Sequence, residues 1–298
     1  MKQFKTILSI ALAGIAAGCL IAAVFLILKG KADDRRAEDI FNEHRVTVES
    51  STGPAFSEQE TSSTEESESI SDDAASSEAS TEAPQESSSE EAVEPVPNPY
   101  ADSYTANADM AAWLKIPDTI IDYPVMWTPR DENYYLYRDF NGRDNQNGCL
   151  ILDTDSSVDP LTTNLIIHGH NMKSGAMFGH LLDYEKQDFY ENHKKIILYT
   201  PQCQRNYEVI AVFRSQVYKK TDEVFKFYQF FQADTEEEFN DFYNNIKKLS
   251  IYDTGVTAEF GDHFITLSTC VYHVTNGRLV VVAKEVESGE VYLPLTTE

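Results

Sequence analysis

Cysteine is scarce in this 298-residue chain, with Cys19, Cys149, Cys203 and Cys270 its only thiols. No spacing among them suggests a disulfide framework or a zinc ribbon. Basic residues are also few, 24 against 49 acids, and no basic stripe that could track a nucleic-acid backbone is present. The shortage is most severe over residues 46–99, which hold 14 carboxylates, no Lys or Arg, and mostly Ser, Thr and Pro otherwise. Such a segment cannot bury enough apolar surface to offset its ordering entropy, and its like charges extend it. It is read as a disordered tether, with an acidic docking tail for a basic partner as the competing reading.

Long charge-free runs are equally rare. One spans Thr6 to Leu28, after Lys2 and Lys5. Twenty-three residues at helical rise cover about 34 Å, enough for a hydrocarbon core of roughly 30 Å. The run exceeds the apolar length of a signal peptide, and no clear small-residue cleavage site follows it, so a retained membrane anchor is expected. The chain therefore divides into a short tail (1–5), an anchor (6–28), a charged juxtamembrane segment able to continue as helix (29–45), the tether (46–99) and one folded domain (100–298).

Within the domain, the spacing predicts a short helix over 109–114, a strand over 119–127, a helical turn over 133–138, and a strand over 149–152. A helix over 176–184 and strands over 195–200 and 206–217 follow. Thr235 to Ser250 has the strongest helical signal, with a capping-box pair Thr235/Glu238 and an apolar face of Phe239, Phe242, Tyr243 and Ile246.

The chemistry concentrates in HFITLSTCVYHVTNGR, His263 to Arg278. Strand parity puts Thr266, Ser268 and Cys270 on one face and Ile265, Leu267 and Thr269 on the other. Asn276-Gly277 is a hairpin signal, and the following strand alternates from Arg278 through Val280 and Val282. Hairpin pairing then sets the Arg278 guanidinium beside the Cys270 thiol. A thiol attacks a carbonyl only as thiolate, which a nearby imidazole can generate or stabilise. The apolar strand TNLIIHGHNM ends in His168 and His170, and spacing alone does not choose between them.

TLSTC (Thr266 to Cys270), with Arg278 opening the last long strand and Gly169-His170 upstream, resembles the active-site pattern of sortases, membrane-anchored cysteine transpeptidases of Gram-positive bacteria. The resemblance spans roughly Asp109 to Val286. The segments WLKIPDTIIDYPV (Trp113 to Val125) and YYLYRDFNGRDNQNGCLILD (Tyr134 to Asp153), and the helical insertion before the cysteine strand, resemble class B. Val271 departs from members that carry a polar residue after the cysteine. The resemblance implies a mainly β fold: a closed barrel of about eight strands with short peripheral helices, preceded by the transmembrane helix and the disordered linker. It implies His170, not His168, as the catalytic partner of Cys270 and Arg278. Ser268 and Thr269 become candidate substrate contacts, and the insertion 217–249 the roof of the substrate groove.

The implied activity is cleavage of a C-terminal sorting motif of a secreted protein through a Cys270 thioester. The acyl group then passes to a cell-wall or pilin amine, outside the cell, without metal or cofactor. Two alternatives remain from other classes. One is a degenerate sortase-type fold used for surface binding. The other is a zinc hydrolase with His168, His170 and His180 as ligands.

Overall fold

The computed structural model describes the backbone of residues 2–45 and 94–295, and side chains from Cys19 onward except 287 and 288. The tether reading falls on residues that, up to 93, lie outside those described. Residues 1–46 and 95–298 form one compact unit. The N-terminal helix α1 (Lys2–His44) runs without interruption through the anchor and juxtamembrane segments. Among the described residues no helix is long and apolar enough to cross a membrane. Much of the apolar run 6–28, its side chains up to residue 18, lies outside them.

Eight strands form a closed barrel: β1 (Met110–Lys115), β2 (Asp122–Met126), β3 (Leu150–Leu152), β4 (Asn164–Gly169), β5 (Lys195–Tyr199), β6 (Cys203–Gln216), β7 (Phe264–Cys270) and β8 (Gly277–Val291). Their order around the barrel is β1-β2-β3-β4-β7-β8-β6-β5. Pairing is antiparallel except at β2–β3 and β4–β7. The short helices α2 (Ala101–Ala106), α3 (Gln187–Asn192) and α4 (Glu236–Leu249) lie at the periphery. The domain's packing begins slightly before Tyr100: Val96 bridges Tyr292, and buried Asn98 donates to the Thr200 carbonyl.

Two sequence expectations are corrected. The stretch 109–114, expected as helix, instead enters strand β1 at Met110, which pairs with β2 on one side and closes the barrel against β5 on the other. Every side chain from Met110 to Leu114 is buried. That is the signature of a strand covered on both faces, which adjacent apolar residues cannot distinguish from a helical patch. The helix expected over 176–184 is a 3-10 helix at Gly179–Glu185. Met177 has φ 54°, so the chain enters helical geometry only beyond it.

Parity on β7 and β8 fixes the rest. Ile265, Leu267, Leu279, Val281 and Ala283 point into the main core with Trp113 and Leu114. Phe264, Val280 and Val282 point outward, where Phe239, Phe242 and Ile246 of α4 cover them. Helix α4 begins with the expected capping box, Thr235 Oγ1 accepting from the Glu238 N–H. Three acids stand in its first turn and Lys247 and Lys248 in its last, opposing the helix dipole at both ends.

Candidate active site

Strands β4 and β7 run parallel, with Gly169 in register with Thr269. Their ends therefore emerge together, and residues 100 positions apart in sequence become neighbours. Gly169 is required there, because a Cβ would collide with the Phe178 ring and the Leu150 side chain. The Thr269 hydroxyl donates to the Gly169 carbonyl at 2.7 Å and ties the two ends. On its other side β7 pairs with β8, and Cys270 stands directly opposite Arg278. The turn between them has Asn276 in the left-handed region at φ 57°. Gly277 follows because a Cβ would strike the Val271 carbonyl, while its own carbonyl accepts from the Val271 N–H.

Cys270, Arg278, His170, His168 and Ser268 line one cavity of about 440 Å³. The Arg278 guanidinium donates to the Asn276 and Gly277 carbonyls and has no carboxylate partner among the described residues. Its remaining N–H donors are thus left for an anion or a developing oxyanion. Ser268 is 2% exposed, and its hydroxyl has no protein partner. It shares the outward parity of Cys270. Thr269 has the opposite parity and its hydroxyl is committed to Gly169.

The His170 ring is held by elements that sequence reasoning missed. Its Nε2 lies 2.8 Å from the Leu136 carbonyl. A carbonyl only accepts, so Nε2 carries the proton and Nδ1 holds the free lone pair. Tyr137 lies beside the ring, centroids 5.3 Å apart. Leu136 and Tyr137 sit in the turn expected over 133–138, but nothing local indicates its partner. Asn171 donates to the Cys270 carbonyl at 2.8 Å. Its position directly after His170 was the only signal available.

His168 lines the same cavity but takes a different partner, its Nε2 standing 3.1 Å from Asp153 Oδ2. His180 pairs with Asp183, whose carboxyl is held below its ordinary range, first by that hydrogen bond. The three histidines of the zinc alternative therefore serve three separate partners. Among the described residues no group of His, Cys, Asp and Glu is gathered to hold a metal. The insertion 217–249, expected as a roof over the groove, contributes no residue to this cavity's lining. Its helix lies further along the same barrel face.

The sortase domain family matches residues 114–286. Sortase B of Listeria monocytogenes is 32% identical over 189 residues, 61% of this chain and 72% of that protein. Sortase B of Staphylococcus aureus is 30% identical over 183 residues, 60% and 70% of the two chains. The chain belongs to class B of the sortase family. A solved sortase B–substrate complex from S. aureus superposes with a TM-score of 0.58 at 28% identity, over 65% of this chain and 87% of that one. Sortase B from Bacillus anthracis, solved with AAEK1, gives 0.56 at 30% identity, over 66% and 89%. The family makes this chain a cysteine transpeptidase acting on sorting signals and amines, and neither surface binding alone nor zinc hydrolysis is favoured.

Proposed function

We propose that Cys270 is the nucleophile, His170 the general acid and base, and Arg278 the oxyanion or backbone-positioning donor of this sortase. The reading rests above all on one observation: thiol, guanidinium and imidazole meet at the adjoining ends of β4, β7 and β8 in a single cavity. The Cys270 thiolate attacks the carbonyl of a threonine or similar residue in the sorting motif, and the carbonyl oxygen becomes negative where Arg278 has donors to spare. His170 Nδ1, the nitrogen not bound to Leu136, takes the Cys270 proton as the thiolate forms and gives it to the departing amine. The acyl group then rests on sulfur as a thioester until an amine takes it. Ser268, with its unengaged hydroxyl, contacts the bound motif. Thr269 lines the same cavity beside the bound motif, its hydroxyl engaged to the Gly169 carbonyl.

The substrates in this reading are secreted proteins carrying a C-terminal sorting motif, and the acceptor is a peptidoglycan-precursor or pilin amine. The first half-reaction is that of a thiol protease. Residues 6–28 anchor the chain in the cell membrane as a single pass, residues 46–99 link the docked helix α1 to the rest of the domain, and that domain acts outside the cell. No metal or other cofactor takes part.

The test uses quenched pentapeptides of the NPxTx, SPxTG and LPxTG types, with products read by mass spectrometry. Cleavage after threonine that disappears in Cys270→Ala, with an acyl adduct trapped on Cys270, is the expected result. A folded protein that cleaves none of them and has an inert Cys270 would overturn the assignment.

A further inference from the structure

Helix α1 leaves the surface of the domain at the point where its sequence turns apolar. Its docked face is the buried stripe Asp33, Ala37, Ile40 and Phe41, spaced along one side of the helix. The Arg36 guanidinium stands 3.6 Å from the buried Asp139 carboxylate and donates to the Asp144 carbonyl. Asn145 donates to the Asp33 carbonyl at 3.1 Å, and Phe41 packs edge-on against Tyr123 at 5.1 Å. From Cys19 to Lys29, in contrast, every residue is exposed, Leu20, Ile21, Phe25 and Leu28 by 60–68%. The helix has no break between the two parts. From Leu28, the end of the apolar run, to Asp33, the first buried residue, the rise is therefore about 8 Å.

The turn that follows the thiol lies at this exit. Lys29, Cys270 and Tyr272 line one cleft of about 850 Å³. Residues 272–276 are all exposed, Tyr272 by 87% and Val274 by 43%. The turn is nonetheless ordered, since the Val271 N–H donates to the Gly277 carbonyl and the Gly277 N–H to the Val274 carbonyl. In a chain of net charge -25 it carries no carboxylate.

We propose that the β7–β8 turn is a second membrane contact of this protein: docked helix α1 holds Tyr272 and Val274 in the headgroup region of the bilayer that its own apolar run enters, so that the thiol opens at the membrane surface. The inference rests on the single-pass anchor reading above. An unbroken helix fixes the height of whatever is docked on it, and Tyr272 shares a cleft with the residue next after the apolar run. Tyrosine suits that depth, its ring among the upper acyl chains and its hydroxyl among the headgroups. Lys29 and Lys31 beside the exit suit anionic lipid. The acidic linker does not set this height, because α1 and the barrel pack as one unit.

The experiment reconstitutes the full chain in phosphatidylcholine vesicles containing some phosphatidylglycerol. Vesicle flotation reports the anchor, and Tyr272→Trp reports the turn through quenching by brominated phosphatidylcholine, with the unsubstituted chain as background. Phe260→Trp, 47% exposed and before the opposite end of β7, is the control. The chain is expected to float. The Tyr272→Trp emission shifts to the blue and is quenched more by bromines high on the acyl chain than by those near its end, and Phe260→Trp is not quenched. Ala37→Glu, which puts a carboxylate into the docked stripe, leaves flotation intact and abolishes the Tyr272→Trp quenching. A chain that floats but whose Tyr272→Trp emission is quenched no more than background overturns the turn's contact and leaves the anchor. Quenching that survives Ala37→Glu overturns α1 as the element that sets the depth. A chain that does not float overturns both anchor and contact.

Discussion

The outward face of β7 and β8 carries two environments a few residues apart. At one end Phe264, Val280 and Val282 lie under Phe239 and Phe242 of α4, with the Phe239 and Phe264 rings stacked at 5.3 Å. At the other, Cys270 and Arg278 continue the same parity into an open cavity. The strands themselves do not differ in kind. What separates a dry aromatic core from a reactive site is the covering element: α4 excludes water from one end, and the turn 133–138 only borders the other. A sheet face becomes a site where its covering stops short.

The largest effect expected from breaking this contrast is at the open end. Cys270→Ala removes all acyl transfer while the thermal midpoint stays within error, since a half-exposed thiol carries little packing. Activity surviving in that variant would refute the open end as the reactive one. Next, Arg278→Ala lowers kcat/KM about 10²- to 10³-fold, and Arg278→Lys recovers little of it because an ammonium lacks the planar fork. A lysine variant of near-normal rate would show that charge alone is required. At the covered end, Phe242→Ala costs about 3–5 kcal/mol through the cavity it leaves, measured by denaturant unfolding. The folded fraction keeps its Cys270 reactivity. Loss of reactivity ahead of unfolding would mean the two ends are coupled.

The contrast sharpens further between two thiols that line the same cavity. Cys149 is buried, and burial pushes its thiol well above the ordinary range. Mass mapping after iodoacetamide at neutral pH is expected to find Cys270 labelled and Cys149 intact until the protein unfolds. The Cys149 thiol, like the buried Tyr184 and Tyr207 phenols, keeps its proton in the native state at pH values where the unfolded chain releases it. Stability is therefore held below about pH 9 and falls as pH rises through the ordinary thiol and phenol values of about 8.5 and 10. A melting midpoint that is flat from pH 8 to about 10.5 would contradict this. The smallest effect is at the cap of α4, where Thr235→Ala costs about 1 kcal/mol.

What the sequence alone determined is local. The period-2 pattern of 263–270, the Asn276-Gly277 turn and the alternation after Arg278 are short-range facts. They were enough to put Cys270 opposite Arg278, as the register has it. The capping box and apolar stripe of α4 were legible for the same reason. The site's remaining parts depend on contacts between distant segments. The parallel pairing of β4 with β7, which brings Gly169-His170 to Thr269-Cys270, has no signature in either strand. The Leu136 carbonyl that sets the His170 tautomer is a backbone group, identical in every residue and invisible to composition. Strand β1 was misread because burial on both faces erases the period that separates strand from helix. The docking of α1 beside the thiol, through Arg36, Asp139 and Phe41, is likewise a matter of which surfaces meet. Periodicity and turn chemistry act within a few residues of chain, whereas barrel closure and the walls of a cleft arise only when elements far apart in sequence bury one another.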